Sequence, residues 1–146
     1  MKPVEFQYTL QELHRPLFFL KRELEKSQNP FPILLLEGEM GAGKTTFVSA
    51  FVHSFDDTLL VNSPTFTLVN EYLTKEKMAI YHFDLFRLKH SSDLEELGFE
   101  EIWGKKGISL IEWWQIARDY LPPDCILLQF YIQDEETRNL RISKYM

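Results

Sequence analysis

A short apolar run that leads into a glycine-rich turn sets the architecture of this chain: Ile33-Leu34-Leu35-Leu36, then Gly38-Glu39-Met40-Gly41-Ala42-Gly43-Lys44-Thr45. Four consecutive apolar residues after a proline-rich turn predict a strand that is buried on both faces, as in a parallel sheet. The turn matches the phosphate-loop pattern Gly-x-x-x-x-Gly-Lys-Ser/Thr in full. A helix is predicted from Lys44 to about Phe55. Strand, loop and helix in this order are the context that a phosphate loop requires.

The residue types of this loop suit the binding of a triphosphate. Glycines let several main-chain N–H groups converge on one anion, and the positive end of the following helix dipole faces the same point. The Lys44 ammonium would contact the β- and γ-phosphates, and the Thr45 hydroxyl would ligate Mg²⁺. We expect the nucleotide to be bound by consecutive residues of the loop and helix start: Glu39, Met40, Gly41, Ala42, Gly43, Lys44, Thr45 and Thr46.

Elements on either side of the loop predict an α/β chain. Thr9 and Glu12 have capping-box spacing and open a leucine-rich helix with a kink or restart at Pro16. Beyond the loop we expect a short strand at 59–61, a hairpin of 67–73 with 78–84, an acidic helix from Ser91 or Ser92 to about Trp103, and a strand at 108–111. A short helix before Pro122 and strands at 125–132 and 140–145 follow. The prediction is a P-loop NTPase-like three-layer sandwich around a mixed, mostly parallel sheet, with one domain over 1–146.

Composition excludes several classes of protein. Of 146 residues, 45% are hydrophobic and 26% are charged, which is ordinary for a globular domain. The single cysteine, Cys125, excludes an intrachain disulfide. The net charge of −6 disfavours direct binding of nucleic acid, so we expect contact with RNA only through a partner. There is no apolar run of membrane-spanning length and no signal-peptide core, so a cytoplasmic location without a membrane is expected.

Two acids follow apolar strands and are candidates for the metal side of the site. Asp84 ends Ile80-Tyr81-His82-Phe83, and Glu112 ends Ile108-Ser109-Leu110-Ile111. Ligands of an open α/β sheet bind at the carboxyl ends of its strands, so both acids are expected beside the loop. The guanine-binding pattern Asn-Lys-x-Asp is absent, which favours ATP over GTP.

Four motifs in one order resemble the TsaE (YjeE) family of small bacterial P-loop ATPases. They are the loop itself, Ser63-Pro64-Thr65-Phe66-Thr67-Leu68-Val69 with Glu71-Tyr72, His82-Phe83-Asp84-Leu85-Phe86-Arg87-Leu88, and Ile111-Glu112-Trp113. The resemblance spans about residues 33–114. Phe86 replaces the tyrosine usual in that family, and Trp114-Gln115 replaces Pro-Glu.

The resemblance implies a slow ATPase that supports formation of threonylcarbamoyl-adenosine (t6A) in tRNA. It would act on a TsaD-like catalytic subunit and its TsaB-like companion, and would touch tRNA only indirectly. Lys44, Asp84 and Thr65 would then be catalytic, with Thr65 in a switch-like loop that senses the γ-phosphate. Thr45 and Glu112 would hold Mg²⁺ directly or through water, and Asp84 would either support the metal ligands from behind or orient the attacking water.

Other interpretations of the same residues stay open. A small-molecule kinase could use this loop, although the six arginines form no lid-like cluster, and a non-catalytic nucleotide-binding scaffold is a third possibility. His82 is interpreted as a packing residue. Trp113 could pack beside the nucleotide, or it could form an apolar partner surface with Trp103 and Trp114. The acidic helix could dock a basic partner or simply be solvated.

Overall fold

A computed structural model describes residues 1–62, 64 and 67–145, and a central sheet dominates it. The described strands are β1 (Val4–Thr9), β2 (Ile33–Glu37), β3 (Val69–Leu73), β4 (Ala79–Asp84), β5 (Ile108–Glu112), β6 (Cys125–Ile132) and β7 (Thr137–Tyr145). The α-helices are α1 (His14–Lys26), α2 (Lys44–His53) and α3 (Asp93–Leu97). Single 3₁₀ segments cover Leu10–Glu12, Phe99–Glu101 and Trp114–Tyr120.

The sheet is mixed, with a parallel centre and antiparallel edges. Its strand order is β1-β7-β6-β2-β5-β4-β3. Neighbours among β6, β2, β5 and β4 pair in parallel, whereas β7 is antiparallel to β6 and to β1, and β3 is antiparallel to β4. Strands β1, β2, β4, β5 and β6 therefore share one direction. This confirms the predicted mixed, mostly parallel sheet and the predicted β3–β4 hairpin.

Side-chain alternation along β2 divides the core into two halves. Leu34 and Leu36 face a layer that contains α1 and α2, where Phe51 is fully buried. Ile33 and Leu35 face the opposite layer, which contains α3 and the 3₁₀ segments Phe99–Glu101 and Trp114–Tyr120. Because a large apolar side chain contributes roughly 1.5–3 kcal/mol when it is fully buried, each half stabilises one helical layer. The arrangement is the expected three-layer sandwich.

The strand predicted at Leu59–Val61 is wrong, because this segment belongs to no strand of the sheet. Side chains satisfy the adjacent backbone instead. The Asn62 N–H donates to the Tyr72 hydroxyl at 3.1 Å, and the Asn62 carbonyl oxygen accepts from that hydroxyl at 2.8 Å. Leu60 is 80% exposed, as expected for a connecting loop.

Other elements also differ from the prediction, and β7, for example, begins at Thr137 rather than Leu140. The acidic helix ends at Leu97 rather than near Trp103, because Gly98 adopts a left-handed φ of 70° and a separate 3₁₀ turn follows. Strand β1 was not predicted, and it pairs with β7 through the full length Val4–Thr9. The Thr9–Glu12 capping interaction is present, with the Thr9 N–H donating to the Glu12 carboxylate at 3.0 Å.

Candidate nucleotide site

The phosphate loop connects the carboxyl end of β2 to the first residue of α2. Gly43 has a left-handed φ of 105° and caps α2, so Lys44 begins the helix as predicted. Close packing restricts Gly38, where a Cβ atom would lie 2.7 Å from the Phe130 carbonyl oxygen. The first amides of a helix have no acceptor inside it, and Thr45 and Thr46 are exposed here. The start of α2 therefore carries amides without an intrahelical acceptor and two exposed threonines.

Lys44 lies inside this loop rather than in solvent. Its side chain is 13% exposed, and its Nζ donates to the Gly38 carbonyl oxygen at 2.5 Å. Glu112 Oε1 lies 4.0 Å from the same nitrogen, and the Trp113 ring centroid lies 5.6 Å away. The ammonium thus faces one carbonyl, one carboxylate and one aromatic ring. Because this group is largely shielded from water, its interaction with an anion would be only weakly screened.

Both predicted acids lie at the carboxyl edge of the sheet, next to each other. Asp84 is the register partner of Glu112, and Glu112 is in turn the register partner of Leu36 on β2. Because these strands are parallel, their carboxyl ends meet at the edge where the phosphate loop begins. The structure therefore brings Lys44, Asp84 and Glu112 together, as the sequence predicts.

Glu112 is held by a residue that the sequence analysis assigned to packing. His82 Nε2 lies 2.6 Å from Glu112 Oε2, and His82 is 1% exposed. A carboxylate can only accept, so the His82 ring donates this hydrogen bond. The interpretation of His82 as a packing residue is therefore incomplete, since its ring also bonds to a site carboxylate. Its alternation with Asp84 on β4 was the available signal, because residues two apart share a sheet face.

Asp84 is half-buried, and its environment disfavours the charged form. Burial raises the pKa of the Asp84 carboxyl above its ordinary value, and the neighbouring Glu112 charge raises it further. The Phe86 N–H, which donates to Asp84 Oδ1 at 3.0 Å, acts in the opposite direction, as do the charges of His82 and Lys44. A carboxyl whose pKa is raised by burial is a better proton acceptor once it is ionised.

An exposed aromatic pair borders the site. Trp113 is 48% exposed and its ring lies 4.9 Å from that of Phe86, which is 65% exposed. Trp113 also has a left-handed φ of 56°, a strained conformation for a residue with a large side chain. Trp103 and Trp114 are buried. The predicted surface of three tryptophans is therefore wrong, and Phe86 takes their place beside Trp113.

A cavity next to the loop combines three predicted loop residues with residues from both ends of the chain that the sequence analysis did not assign to the site. It has a volume of about 410 Å³ and is lined by residues 8–11 and 13, by Gly41, Gly43 and Thr46, and by residues 135, 136 and 138. Tyr8 and Arg138 are register partners on β1 and β7, and Arg138 Nε donates to the Gly41 carbonyl oxygen at 3.3 Å. Burial raises the pKa of Tyr8 to about 12, which keeps its hydroxyl protonated. Strand β1, whose apolar residues alternate with polar ones, was the missed signal.

The oxygen donors at the site match the way proteins hold Mg²⁺ beside a phosphate. Mg²⁺ usually takes one or two protein oxygens and completes its shell with phosphate oxygens and water. The Glu112 carboxylate and the exposed Thr45 hydroxyl supply such oxygens. Within residues 1–62, 64 and 67–145, no group of three or more His, Cys, Asp and Glu side chains could hold a metal by itself. The donor set therefore fits a cation that arrives with the phosphates.

Thr65 lies outside the described residues, so its predicted role as a γ-phosphate sensor stays a prediction. The same applies to Ser63 and Phe66 of that motif. The remaining predicted loop residues, from Glu39 to Thr46, lie in the turn between β2 and α2 or at the start of α2.

Comparison with known families identifies the fold and its relatives. Residues 12–140 match the family model described as "Threonylcarbamoyl adenosine biosynthesis protein TsaE". The chain belongs to the TsaE family. The matched residues include the phosphate loop, both strand-end acids and Arg138, whereas Tyr8 and the rest of β1 lie outside the match.

Curated relatives carry the same name, "tRNA threonylcarbamoyladenosine biosynthesis protein TsaE". The protein of Bacillus subtilis is 40% identical over 65% of this chain, and the chain spans 58% of the length of that relative. The protein of Rickettsia felis is 40% identical over 82% of this chain and 69% of its own length. The protein of Haemophilus influenzae is 38% identical over 75% of this chain and 68% of its own length.

A solved structure supports the fold. The crystal structure of Bacillus subtilis YdiB superposes with a TM-score of 0.71, covering 98% of this chain and 86% of that chain at 22% identity. In the described part of this TsaE chain, none of the helices is long and apolar enough to cross a bilayer.

Proposed function

We propose that this chain is a Mg²⁺-dependent P-loop ATPase that binds ATP, hydrolyses it slowly and supports t6A formation in tRNA by acting on a TsaB/TsaD-like complex. One observation carries the proposal. Lys44 and the start of α2 meet Asp84 and Glu112 at one edge of the sheet. A cation, helix amides and two carboxylates in this arrangement suit a triphosphate with its magnesium, because phosphoryl transfer needs positioning and charge compensation above all.

The phosphate groups would replace the present partners of Lys44. In the structure, Nζ bonds to the Gly38 carbonyl oxygen, which is a neutral acceptor. Phosphate oxygens carry more negative charge and would attract the ammonium more strongly. The N–H groups of Lys44, Thr45 and Thr46 would face the same phosphates, since they open the helix and have no intrahelical acceptor.

Thr45 and Glu112 would hold the magnesium. Mg²⁺ supplies neutralisation of the charge that develops on the phosphate oxygens. Glu112 has one oxygen, Oε2, bonded to His82, while Oε1 faces Lys44. Oε1 is therefore the oxygen placed to serve as a ligand or to bind a ligated water.

Asp84 would orient the water that attacks the γ-phosphate. Its Oδ1 already accepts from the Phe86 N–H, so Oδ2 is the atom assigned to water. The carboxyl is half-buried, and its raised pKa increases its tendency to accept a proton from water at neutral pH. Thr65 stays the proposed sensor of the γ-phosphate.

The cavity beside the loop would take the nucleoside part of ATP. Its volume of about 410 Å³ falls within the range of small-molecule sites. The phosphate loop forms one wall, and Tyr8 with Leu10 supplies aromatic and apolar surface on another. This placement favours a base that is recognised mainly by packing.

The surface around the site supports action on a partner protein. Phe86 and Trp113 are exposed and in contact, and Trp113 lies against Lys44. Exposed aromatic side chains are enriched at protein interfaces. A partner that covers this pair would therefore contact the edge where ATP is proposed to bind, which links assembly to nucleotide state.

The test is Mg²⁺-dependent phosphate release from ATP by the chain alone, with purified TsaB-like and TsaD-like proteins, and with both. We expect slow release alone, faster release with the pair, and t6A formation on tRNA only when the chain, both partners, ATP and a supply of activated threonylcarbamoyl donor are all present. In a matched Glu112→Gln variant, Mg²⁺ should no longer stimulate the release of phosphate.

Absence of ATP binding in calorimetry would contradict the proposal that the phosphate loop binds ATP. Transfer of the γ-phosphate to a small metabolite would instead favour a P-loop kinase. ATP binding without phosphate release, even with both partners, would favour a nucleotide-binding scaffold.

A further inference from the structure

We propose that His82 is a positioning residue that fixes the Glu112 carboxylate for magnesium, an inference that rests on the proposed Mg²⁺–ATP site. The two side chains lie on neighbouring parallel strands, β4 and β5. His82 is in register with Leu110, and Glu112 is in register with Asp84, so His82 reaches Glu112 diagonally on the same sheet face. The side chains of this face point towards the α1–α2 layer, which contains the start of the phosphate-loop helix.

The contact is short and shielded from water. The distance from Nε2 to Oε2 is 2.6 Å, and the exposed side-chain fractions are 1% for His82 and 10% for Glu112. A hydrogen bond from a buried ring to a carboxylate restrains both the position and the rotation of the carboxyl group. Rotation about the terminal bond of glutamate is otherwise broad, so an unrestrained Glu112 would sample many orientations.

The bond uses one carboxylate oxygen and leaves the other for the phosphate side. Oε2 is occupied by His82, whereas Oε1 is directed to Lys44 at 4.0 Å. The far side of the imidazole adds no competing bond, because Nδ1 is buried and has no partner among the described residues. His82 therefore has one polar contact in that part of the chain, and it is with Glu112.

General experience with metal sites gives the size of the expected effect. Groups that hydrogen-bond to a ligating carboxylate change metal affinity by about 10- to 100-fold when they are removed. His82 does not touch the phosphates in this arrangement, so its removal should act through Mg²⁺ and leave metal-free binding of nucleotide nearly unchanged.

The experiment measures the dissociation constant of AMP-PNP by calorimetry, with 5 mM Mg²⁺ and with EDTA, at about 25 °C. The ratio of the two constants reports how much magnesium strengthens nucleotide binding. His82→Gln keeps an amide donor near the position of Nε2, whereas the shorter His82→Asn does not reach Glu112. His82→Phe removes the donor and retains most of the ring volume. The polar variant His82→Asn and the apolar variant His82→Phe therefore both test the loss of the hydrogen bond to Glu112.

We expect the ratio to fall about 10- to 100-fold in His82→Asn and His82→Phe and to be largely restored in His82→Gln. In a Glu112→Gln background, the same His82 substitutions should change the ratio less than twofold, because the residue they act through is gone. Binding in EDTA should stay within about threefold of the wild-type value in all His82 variants.

Three results would overturn the inference. The ratio could be unchanged in the folded Asn or Phe variant, it could fall equally in His82→Gln, or it could fall further in the Glu112→Gln background. A wild-type chain that binds AMP-PNP equally well with and without Mg²⁺, or not at all, would instead overturn the proposed function. A thermal melt of each variant establishes that the comparison uses folded protein.

Discussion

Replacement of Lys44 by alanine tests the phosphate-loop assignment most directly. The Lys44 ammonium is 13% exposed and lies at the start of α2, where the phosphates are proposed to bind. A hydrogen bond to a charged group contributes about 1.5–3 kcal/mol, which corresponds to about a 10- to 150-fold change in dissociation constant. The limited exposure of the ammonium places the expected loss in the upper half of that range, with ATP hydrolysis abolished.

Folding should survive this substitution. Lys44→Ala removes one hydrogen bond, to the Gly38 carbonyl oxygen, and a distant pairing with Glu112 at 4.0 Å. Glu112 keeps its bond to His82, so it is not left without a partner. We expect the free energy of unfolding to change by about 1 kcal/mol, which urea titration can resolve.

Lys105→Ala is the matched control for lost charge. Lys105 is 57% exposed and pairs with Glu101 on the surface, so its removal lowers net charge equally and touches no part of the site. Calorimetry with AMP-PNP should give wild-type affinity for Lys105→Ala and weak binding for Lys44→Ala. Binding by Lys44→Ala within threefold of wild type, or an equal loss in both variants, would refute the assignment.

Three further substitutions test the site and the fold. Asp84→Asn should slow phosphate release and raise the urea midpoint of unfolding at pH 7. A carboxyl whose pKa is raised on folding destabilises the protein as the pH rises above the ordinary pKa of 3.8, so a gain in stability that does not shrink towards pH 4 would contradict this. Gly38→Ala should destabilise the protein by about 1–3 kcal/mol, because the new Cβ would meet the Phe130 carbonyl oxygen. Gly98→Ala, whose Cβ would meet no atom within 4 Å, should cost about 1 kcal/mol, and equal urea midpoints for the two variants would refute the packing argument. Arg138→Ala should weaken ATP binding about fivefold in calorimetry, because it removes one hydrogen bond to the loop and one wall of the cavity. Unchanged affinity would mean that the nucleoside binds elsewhere.

Sequence patterns predicted the centre of the molecule because its signals are local. The apolar run of β2, the glycine pattern and Lys44 lie within thirteen residues. Together they predict a strand, a loop and a helix start in that order. Asp84 and Glu112 were located as well, since an acid after a buried strand must lie at the carboxyl edge. Because the parallel strands end at the same edge, both acids were expected beside the phosphate loop.

The missed features depend on contacts between residues far apart in the chain. Leu59–Val61 has strand-like composition, but the Tyr72 hydroxyl bonds to the adjacent backbone at Asn62. The alternation along β4 places His82 on the same sheet face as Asp84, but its bond to Glu112 also requires the pairing of β4 with β5. Strand β1 has a period of two, but Thr9 and Glu12 at its end also match a capping box, which predicts the start of a helix.

Residues near both ends of the described chain lie beside the phosphate loop. Arg138 bonds to the loop residue Gly41 across 97 positions of sequence, and its register partner Tyr8 lies next to Gly43. During synthesis on the ribosome, the loop and its helix emerge long before β7 does. A nascent chain in which β7 has not yet paired lacks one wall of the proposed nucleoside cavity, so we expect it to bind ATP more weakly than a chain in which β7 has docked.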